Sequence, residues 1–278
     1  FSGRYHEISV ACERETEVID VEWGEAVPLE RIEARLKARH FGALTVAQSE
    51  TTTGVLQDVR AIRALCAAHD TACLVDSVTG IGGAEFHFDA WEMDYALTGS
   101  QKAMALPPGL AFAAASPAFI AGAAAQPARG LYFDLLEHDE YARKNQTPNT
   151  PAVSLFFALD QQLADIQRET MPARWARHLA MRDLVHGWVA QTGATFGVGI
   201  LARPEVRGPT VTVLTIPERI GTAPLLAALS ARGITFGSGY GKLAKTTVRL
   251  GHMGDHTVAT VQRALDALTD ALNELAAR

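Results

Sequence analysis

The first half of the chain alternates short apolar segments with amphipathic helical ones, and this alternation constrains the fold more than any other feature. In one helical segment, LQDVRAIRALCAAHD, the apolar residues Val59, Ile62 and Cys66 recur at helical spacing. Strands that alternate with helices predict βαβ units and a mainly parallel sheet sandwiched by helices. The segments predicted as strands are TEVIDVEW, ALTVAQ, ACLVDS, DYALTG and LAFAAA.

The pattern changes after residue 125, where a polar, turn-rich stretch leads into a long helical region. Two more strand-like segments follow, TVTVLTI and TTVRLG, each succeeded by a helical segment. We therefore predict an α/β fold in two domains. Residues 1–155 form the large domain, and residues 156–278 form a long connecting helix and a smaller α+β domain.

The charge and hydropathy of the chain exclude several classes of protein. The 278 residues are 48% hydrophobic and 20% charged, with a net charge of −6. Acidic and basic residues are mixed along the chain, which argues against a nucleic-acid or membrane-surface protein. No apolar run approaches the roughly 18 residues that a membrane-spanning helix needs.

The three cysteines do not have the spacing of a metal site or a disulfide framework. Cys66 and Cys73 lie in strongly apolar segments, so we predict that they are core thiols. Free thiols are typical of a reducing compartment, and we expect a cytoplasmic protein with no bound metal.

Polar side chains follow three of the predicted strands. Asp76 comes directly after the apolar residues of ACLVDS, Lys102 comes shortly after DYALTG, and hydroxyl residues including Thr51 follow ALTVAQ. Taken singly, such an Asp usually caps a turn and such a Lys is usually solvated. However, the carboxyl ends of parallel strands meet at one edge, and the run around Lys102 is poor in charge. A desolvated amine is a nucleophile that forms Schiff bases, and pyridoxal phosphate needs both this amine and an acid at its ring nitrogen.

Four segments, SETTTGVLQDV, LVDSVTGIGG, DYALTGSQKAMALPPGLAF and VRLGHMGD, carry a specific resemblance. In order and spacing they resemble class V aminotransferases of fold type I, nearest to the alanine–glyoxylate and serine–glyoxylate/pyruvate branch. The resemblance runs from FSGRY to the final helix. It implies a pyridoxal-phosphate-dependent transaminase that moves an amino group from alanine or serine to glyoxylate or pyruvate by a ping-pong Schiff-base exchange.

The resemblance implies a role for each matching residue at the cofactor. Lys102 matches the Schiff-base lysine that also moves the substrate proton, and Asp76 matches the acid at the pyridine nitrogen. Val78 matches the residue against the ring face, and Thr51 a hydroxyl residue near the ring oxygen. Gln101 matches a neighbour of the lysine that contacts the cofactor phosphate.

Two further sites follow from the resemblance. Arg249 matches the arginine that binds the substrate α-carboxylate, a task suited to the bidentate guanidinium, although a structural salt bridge explains it equally well from the residue alone. The segment QTPNTPAVS resembles the one through which a neighbouring subunit reaches the cofactor phosphate. Asn149 and Thr150 are its candidates, and they imply a homodimer with shared active sites.

The sequence departs from the family at two places. Gln48 and Ser49 stand where the family often has His-Ser or His-Gly, and the family's N-terminal part, with its glycine-rich phosphate-binding helix start, has no counterpart here. We therefore expect this sequence to be the later part of a longer polypeptide.

Two alternatives to a transaminase remain. One is another pyridoxal-phosphate reaction on the same fold, such as that of a cysteine desulfurase or a lyase. A desulfurase needs a mobile, exposed cysteine, whereas Cys66 and Cys73 lie in apolar segments and Cys12 lies far upstream in the chain. The other is a catalytically impaired structural relative, which we would expect to lack Lys102 or Asp76.

Overall fold

The computed structural model describes residues 1–277. Within them the helices are α1 (Ser2–Ala11), α2 (Leu29–Ala38), α3 (Val59–Ala68), α4 (Pro117–Ala124), α5 (Leu135–Arg143), α6 (Val153–Glu169), α7 (Met171–Gln191), α8 (Thr222–Ala231) and α9 (Val258–Ala276). The strands are β1 (Ala43–Ala47), β2 (Ser49–Glu50), β3 (Val55–Leu56), β4 (Ala72–Asp76), β5 (Tyr95–Gly99), β6 (Ala111–Ala115), β7 (Gly199–Ile200), β8 (Val211–Thr215), β9 (Gly237–Ser238) and β10 (Thr247–Gly251). Short 3₁₀ helices span Gly193–Phe196, Pro204–Val206 and Gly241–Leu243.

The first sheet has the strand order β1-β4-β5-β6. Its first three strands are parallel and β6 is antiparallel, so the prediction of a mainly parallel sheet is confirmed. The register pairs Asp76 with Ala47 on one side and with Leu97 on the other. The carboxyl ends of the three parallel strands therefore meet at one edge, where ligands of such sheets bind.

Helices α2 and α3 cover this sheet with their apolar faces. Ile62 and Cys66 of α3 are fully buried together with Cys73 and Val75 of β4. The prediction that Cys66 and Cys73 are core thiols is thus confirmed. Asp58 caps α3, since its side chain accepts a 2.9 Å hydrogen bond from the backbone N–H of Ala61.

The strand predicted at TEVIDVEW is wrong, because residues 16–23 form no strand. Its β-branched residues favour a strand, but a strand also needs a neighbour to accept and donate the ladder hydrogen bonds. None of the strands in residues 1–277 pairs with this segment. Ile19 instead packs against the core beneath α2 and α3.

The second sheet has the order β7-β8-β10-β9, and each neighbouring pair is antiparallel. Helices α7, α8 and α9 pack on it around a second core. Leu265, Leu268 and Leu272 of α9 are fully buried there, as their three- and four-residue spacing predicts. No helix in the described part of the chain is long and apolar enough to cross a membrane.

The long connecting helix predicted at the start of residues 156–278 is two helices, α6 and α7. They are separated at Thr170, whose φ of 69° lies outside the helical region. The Thr170 side chain accepts from the backbone N–H of Ala173, and Pro172 occupies the first turn of α7. A cap and a first-turn proline together start a new helix rather than continue the old one.

Candidate active site

Asp76 is the last residue of β4 and lies at the carboxyl edge of the first sheet. Its backbone oxygen accepts from Gln48 N at 2.8 Å, and its Oδ1 accepts from Val78 N at 2.9 Å. The side chain is half-buried and has no ion-pair partner among residues 1–277. Burial raises the pKa of the Asp76 carboxyl, and the negative charge of Glu50 adds to this. The N-terminal amine of Phe1 lowers this pKa in part but pairs with Glu50, so the Asp76 carboxylate has no ion-pair partner in the described chain.

Lys102 follows β5 in a loop that Ser100 closes. The buried Ser100 hydroxyl donates to Pro107 O at 2.7 Å and accepts from Leu110 N at 3.1 Å. Lys102 is half-buried, so the predicted dry surroundings are only partly present, because the charge-poor loop encloses Ser100 and Ala103 rather than the amine. The amine makes no hydrogen bond or ion pair within the described chain, which leaves it available to a ligand.

Thr51 lies in the turn between β2 and β3, and Val78 lies in the loop that follows β4. The Thr51 hydroxyl is buried and lies 2.6 Å from the hydroxyl of Thr79, which joins the two loops. Val78 is half-buried, and its backbone N–H fixes the carboxylate of Asp76. The structure thus brings Thr51 and Val78 to the same sheet edge as Asp76.

Gln48, where the sequence departs from the family, forms hydrogen bonds within the protein through its side-chain amide. The side chain is buried, donates to Glu85 O at 3.0 Å and accepts from the Ser77 hydroxyl. A Cβ at Gly80 would lie 2.3 Å from Gln48 Oε1, so the turn fits tightly around the amide. Gln48 therefore holds the turn after Asp76.

Arg249 lies in the middle of β10, opposite Val213 and Gly237. Its Nε donates to Ser238 O at 2.8 Å, and its guanidinium carbon lies 4.0 Å from the ring centroid of Tyr240. No carboxylate in residues 1–277 pairs with it, so the alternative of a structural salt bridge is not realised in the described chain. The two terminal nitrogens are left for a carboxylate from outside.

Arg174 of α7 joins the loops that carry these groups, and the sequence analysis missed it. The guanidinium is buried and donates to Gly82 O at 3.1 Å, to Ala103 O at 2.7 Å and to Asp255 Oδ1 at 3.1 Å. Gly254, next to Asp255, is so close to the Lys102 loop that a Cβ there would lie 3.3 Å from Lys102 O. The loop after β10 is thus packed on the loop after β5.

Tyr5 of α1 is a second residue that the sequence analysis missed. Its hydroxyl is enclosed and has no hydrogen-bond partner in the described chain. Burial raises the pKa of the Tyr5 hydroxyl, and the nearby charge of Asp76 raises it further. An unpartnered buried hydroxyl beside an unpaired carboxylate is unusual in a finished core and is typical of a ligand site.

Gln101, Asn149 and Thr150 are exposed. The loop of the last two is closed by Thr147, whose hydroxyl donates to Asn149 O at 2.7 Å. Among residues 1–277 no hydrogen bond or ion pair connects these three side chains to Asp76 or Lys102. Gln101 directly precedes Lys102 in the chain, and the contacts of all three residues with a cofactor phosphate stay predictions.

The residues at this edge fit the ring end of pyridoxal phosphate. Asp76 lacks a cation, which a protonated ring nitrogen supplies, and Lys102 presents an unpaired amine to an aldehyde. The Thr51–Thr79 pair offers hydroxyl groups to the ring oxygen. The donor set therefore agrees with this cofactor.

Comparison with known proteins gives the same result. The chain is 32% identical over 265 residues to an L-aspartate–glyoxylate aminotransferase of Paracoccus denitrificans, covering 93% of this chain and 66% of that protein. It is 30% identical to a serine–glyoxylate aminotransferase of Methylorubrum extorquens, covering 86% and 61%. The solved structure of an alanine–glyoxylate aminotransferase from Nostoc sp. superposes with a TM-score of 0.89 at 26% identity, covering 99% and 72%.

The chain thus spans about two thirds of the length of the curated relatives that it matches. The solved structures that it resembles at 25% identity or more are aminotransferases. The predicted fold class and the pyridoxal-phosphate cofactor are thereby confirmed. The sequence model of class V aminotransferases matches residues 6–250. The chain belongs to the class V aminotransferase family.

Proposed function

We propose that the protein is a pyridoxal-phosphate-dependent transaminase that moves an amino group from a small amino acid to a 2-oxo acid. One observation carries this proposal. The amine of Lys102, the carboxylate of Asp76 and the guanidinium of Arg249 have no ion-pair partner within residues 1–277, although Asp76 and Lys102 share one sheet edge. The amine fits the cofactor aldehyde, the carboxylate fits the protonated ring nitrogen, and the guanidinium fits the carboxylate of the substrate.

The residues of the chain would divide the chemistry among them. When bound, the cofactor supplies an electron sink for the bond that breaks at the substrate Cα. Asp76 would keep the ring nitrogen protonated, because a neighbouring carboxylate favours the positively charged form of that nitrogen. Lys102 would hold the aldehyde carbon and afterwards carry the proton at the substrate Cα, and Val78 and Thr51 would orient the ring.

Arg249 would bind the carboxylate that every amino acid and every 2-oxo acid shares. The relatives are named for alanine, serine and aspartate as donors and for glyoxylate as acceptor. We infer alanine or serine as the donor and glyoxylate or pyruvate as the acceptor. Arg249 itself does not distinguish among them, because it meets only the common group.

We also infer a homodimer with shared active sites. Leu131, Tyr132 and Phe133 are 79%, 62% and 81% exposed, which is costly for a monomer in water. Asn149 and Thr150 follow in the next exposed loop. A second subunit that covers the apolar patch would supply its own loop to the cofactor phosphate.

We keep the division into a large domain of residues 1–155 and a small domain of residues 156–278 as a proposal. It is supported by the two four-stranded sheets, each with its own core. The three cysteines are free, which supports the proposed cytoplasmic setting. Limited proteolysis with cuts near residue 155, and cell fractionation, test these two points.

Titration with pyridoxal phosphate tests the proposed function. The wild-type protein should gain an absorbance band near the visible edge, and alanine or serine should remove it in a single half-reaction. Lys102→Ala should abolish that band, and Arg249→Gln should keep the band but lose its response to the amino acid. A band that survives Lys102→Ala unchanged would sink the proposal.

A panel of amino donors with glyoxylate and pyruvate then separates the transaminase from its rivals. A desulfurase would release alanine from cysteine. Cys66 and Cys73 are fully buried and cannot reach a substrate without unfolding, whereas Cys12, directly after α1, is exposed. Release of sulfide without amino transfer would favour the desulfurase. A protein that binds neither cofactor nor substrate would be the impaired relative.

Mixing two inactive variants tests the shared site. Lys102→Ala subunits should regain activity when they are refolded together with Asn149→Ala, Thr150→Ala subunits. In the mixed dimer one site combines an intact Lys102 with the intact loop of its neighbour. Activity that stays at the level of the separate variants would show that Asn149 and Thr150 do not act across an interface.

A further inference from the structure

The guanidinium of Arg249 is held in one plane by contacts on several sides. Its Nε donates to Ser238 O at 2.8 Å. The Tyr240 ring lies against its face, 4.0 Å from centroid to guanidinium carbon. Gly237 approaches so closely that a Cβ there would lie 2.8 Å from Nη2. Only the two terminal nitrogens remain without a hydrogen bond in the described chain.

Tyr240 is itself fixed by its loop. Its ring contacts Phe1 edge to face, with centroids 5.8 Å apart and planes at 83°. The preceding Gly239 lies where a Cβ would stand 2.3 Å from Leu243 O, so the backbone folds tightly on itself. The ring therefore keeps one position over Arg249.

A role in the core does not account for Tyr240. The residue is 41% exposed, and its hydroxyl makes no hydrogen bond in residues 1–277. Its main polar neighbour is a guanidinium that has no acid to hold it. An aromatic ring packed on such a cation restrains the long arginine side chain, whose freedom is otherwise lost only when a ligand binds.

We propose that Tyr240 is a positioning residue that holds the fork of Arg249 ready for the substrate carboxylate. This inference rests on the proposed function, since it takes Arg249 as the carboxylate site. The amino donor and the oxo acceptor present the same carboxylate to the same fork. Tyr240 therefore serves both substrates equally and acts on binding rather than on bond breaking.

Three variants of Tyr240 test the proposal in the full protein loaded with cofactor. Tyr240→Ala and Tyr240→Leu remove the ring, and each should raise KM about fivefold for donor and acceptor alike, the loss expected for a partly exposed cation–π contact. The kcat should change less than about twofold. Tyr240→Phe keeps the ring and should behave as the wild type does, and thermal melting should show that all three remain folded.

Calorimetric binding of propionate, a carboxylate that cannot react, gives a readout besides activity. Its Kd should rise by the same factor in Tyr240→Ala as KM does. In an Arg249→Gln background, Tyr240→Ala should have no further effect, because the two residues act through one contact. An unchanged Kd, an effect on one substrate only, or an equal effect in the Arg249→Gln background would each overturn the proposal.

The outcomes also separate this inference from the proposed function. A wild-type protein that does not transaminate, yet binds propionate in a manner that depends on Arg249 and Tyr240, would refute the proposed function and leave the role of Tyr240 in place. An active transaminase whose KM values do not change in Tyr240→Ala would support the proposed function and refute the role of Tyr240.

Discussion

The backbone oxygen of Ala103, the residue after Lys102, accepts a 2.7 Å hydrogen bond from the buried guanidinium of Arg174. The same guanidinium donates to Gly82 O at 3.1 Å and pairs with Asp255 at 3.1 Å. One side chain of α7 therefore ties together the loop after β5, the turn region after β4 and the loop after β10. The positions of the Lys102 loop and of the loop that follows β10, the strand of Arg249, are coupled through it.

Replacing Arg174 with Met should destabilise the whole protein. It leaves the oxygens of Gly82 and Ala103 without their donor and removes the cation that Glu169 faces at 2.7 Å. Glu169 keeps Arg177 as a partner, so the main loss is the donor to two buried backbone oxygens, which should lower the free energy of unfolding by about 2–4 kcal/mol. Urea denaturation measures the change.

Arg168 is the matched control, because it lies one helix earlier and its side chain is 70% exposed in its ion pair with Asp165. Arg168→Met should change the free energy of unfolding by less than about 1 kcal/mol. Equal effects of the two substitutions would contradict the assigned role of Arg174.

Asp76→Asn should stabilise the protein in the absence of cofactor. Burial raises the pKa of Asp76 above its unfolded value of about 3.9. The contribution of Asp76 to the free energy of unfolding is therefore fully present below about pH 3.9 and is lost as pH rises through the folded pKa. The variant should therefore melt higher than the wild type at pH 8 and equally at low pH. Added pyridoxal phosphate should raise the melting temperature of the wild type more than that of the variant.

Asp270→Asn on the exposed side of α9 is the control for this experiment. This substitution removes an exposed carboxylate and leaves Asp76 in place. The melting temperature of the variant should equal that of the wild type at every pH. A lower melting temperature for Asp76→Asn at pH 8 would show that the carboxylate already has a partner in the protein.

The sequence allowed most of the fold to be predicted because the information is local. Periodicity places α3 and α9 on their apolar faces, and strand-length apolar runs place β4 and β5. The prediction of a strand at residues 16–23 was wrong, because a strand depends on a neighbouring strand as well as on its own residues. The break between α6 and α7 at Thr170 was not predicted, because helical periodicity continues on both sides of this residue.

The site was predictable where it depends on strand ends and not where it depends on distant contacts. Asp76 and Lys102 follow neighbouring parallel strands, so topology alone brings them to one edge. Arg174 meets partners 71 and 92 residues away in the chain, and nothing near it in the sequence distinguishes it from the exposed arginines around it. The partial exposure of Lys102 was also not predicted, because the composition of a charge-poor loop does not determine which of its residues are buried.

The protein should lose stability as pH falls below about 6.5. Burial lowers the pKa of His178 to about 4 and that of His252 to about 3. The neutral His178 ring lies 2.7 Å from Arg174 O through Nδ1 and accepts from Gly254 N at 3.1 Å through Nε2, a pattern that a doubly protonated ring cannot keep. Depressed pKa values give stability that is present above the unfolded pKa of about 6.5 and lost as pH falls toward the folded values.

Urea denaturation at intervals from pH 7 to pH 4 measures this loss. His178→Gln should flatten the dependence, because one of the titrating rings is gone, while His6→Gln on the exposed face of α1 should leave the slope unchanged. A stability that stays level or rises between pH 6.5 and pH 4 would contradict the neutral buried rings.

Gly237→Ala should weaken substrate binding while sparing the fold. The new Cβ would lie 2.8 Å from Nη2 and 3.3 Å from Nε of Arg249, so the flexible end of the arginine must move. Because a side-chain end can yield, the free energy of unfolding should change by less than about 1 kcal/mol. The displaced fork should raise KM about tenfold for donor and acceptor together, since small misplacements of a binding group are costly. Gly42→Ala, where nothing lies within 4 Å, is the control. Normal propionate binding by Gly237→Ala would show that the carboxylate does not meet the fork of Arg249.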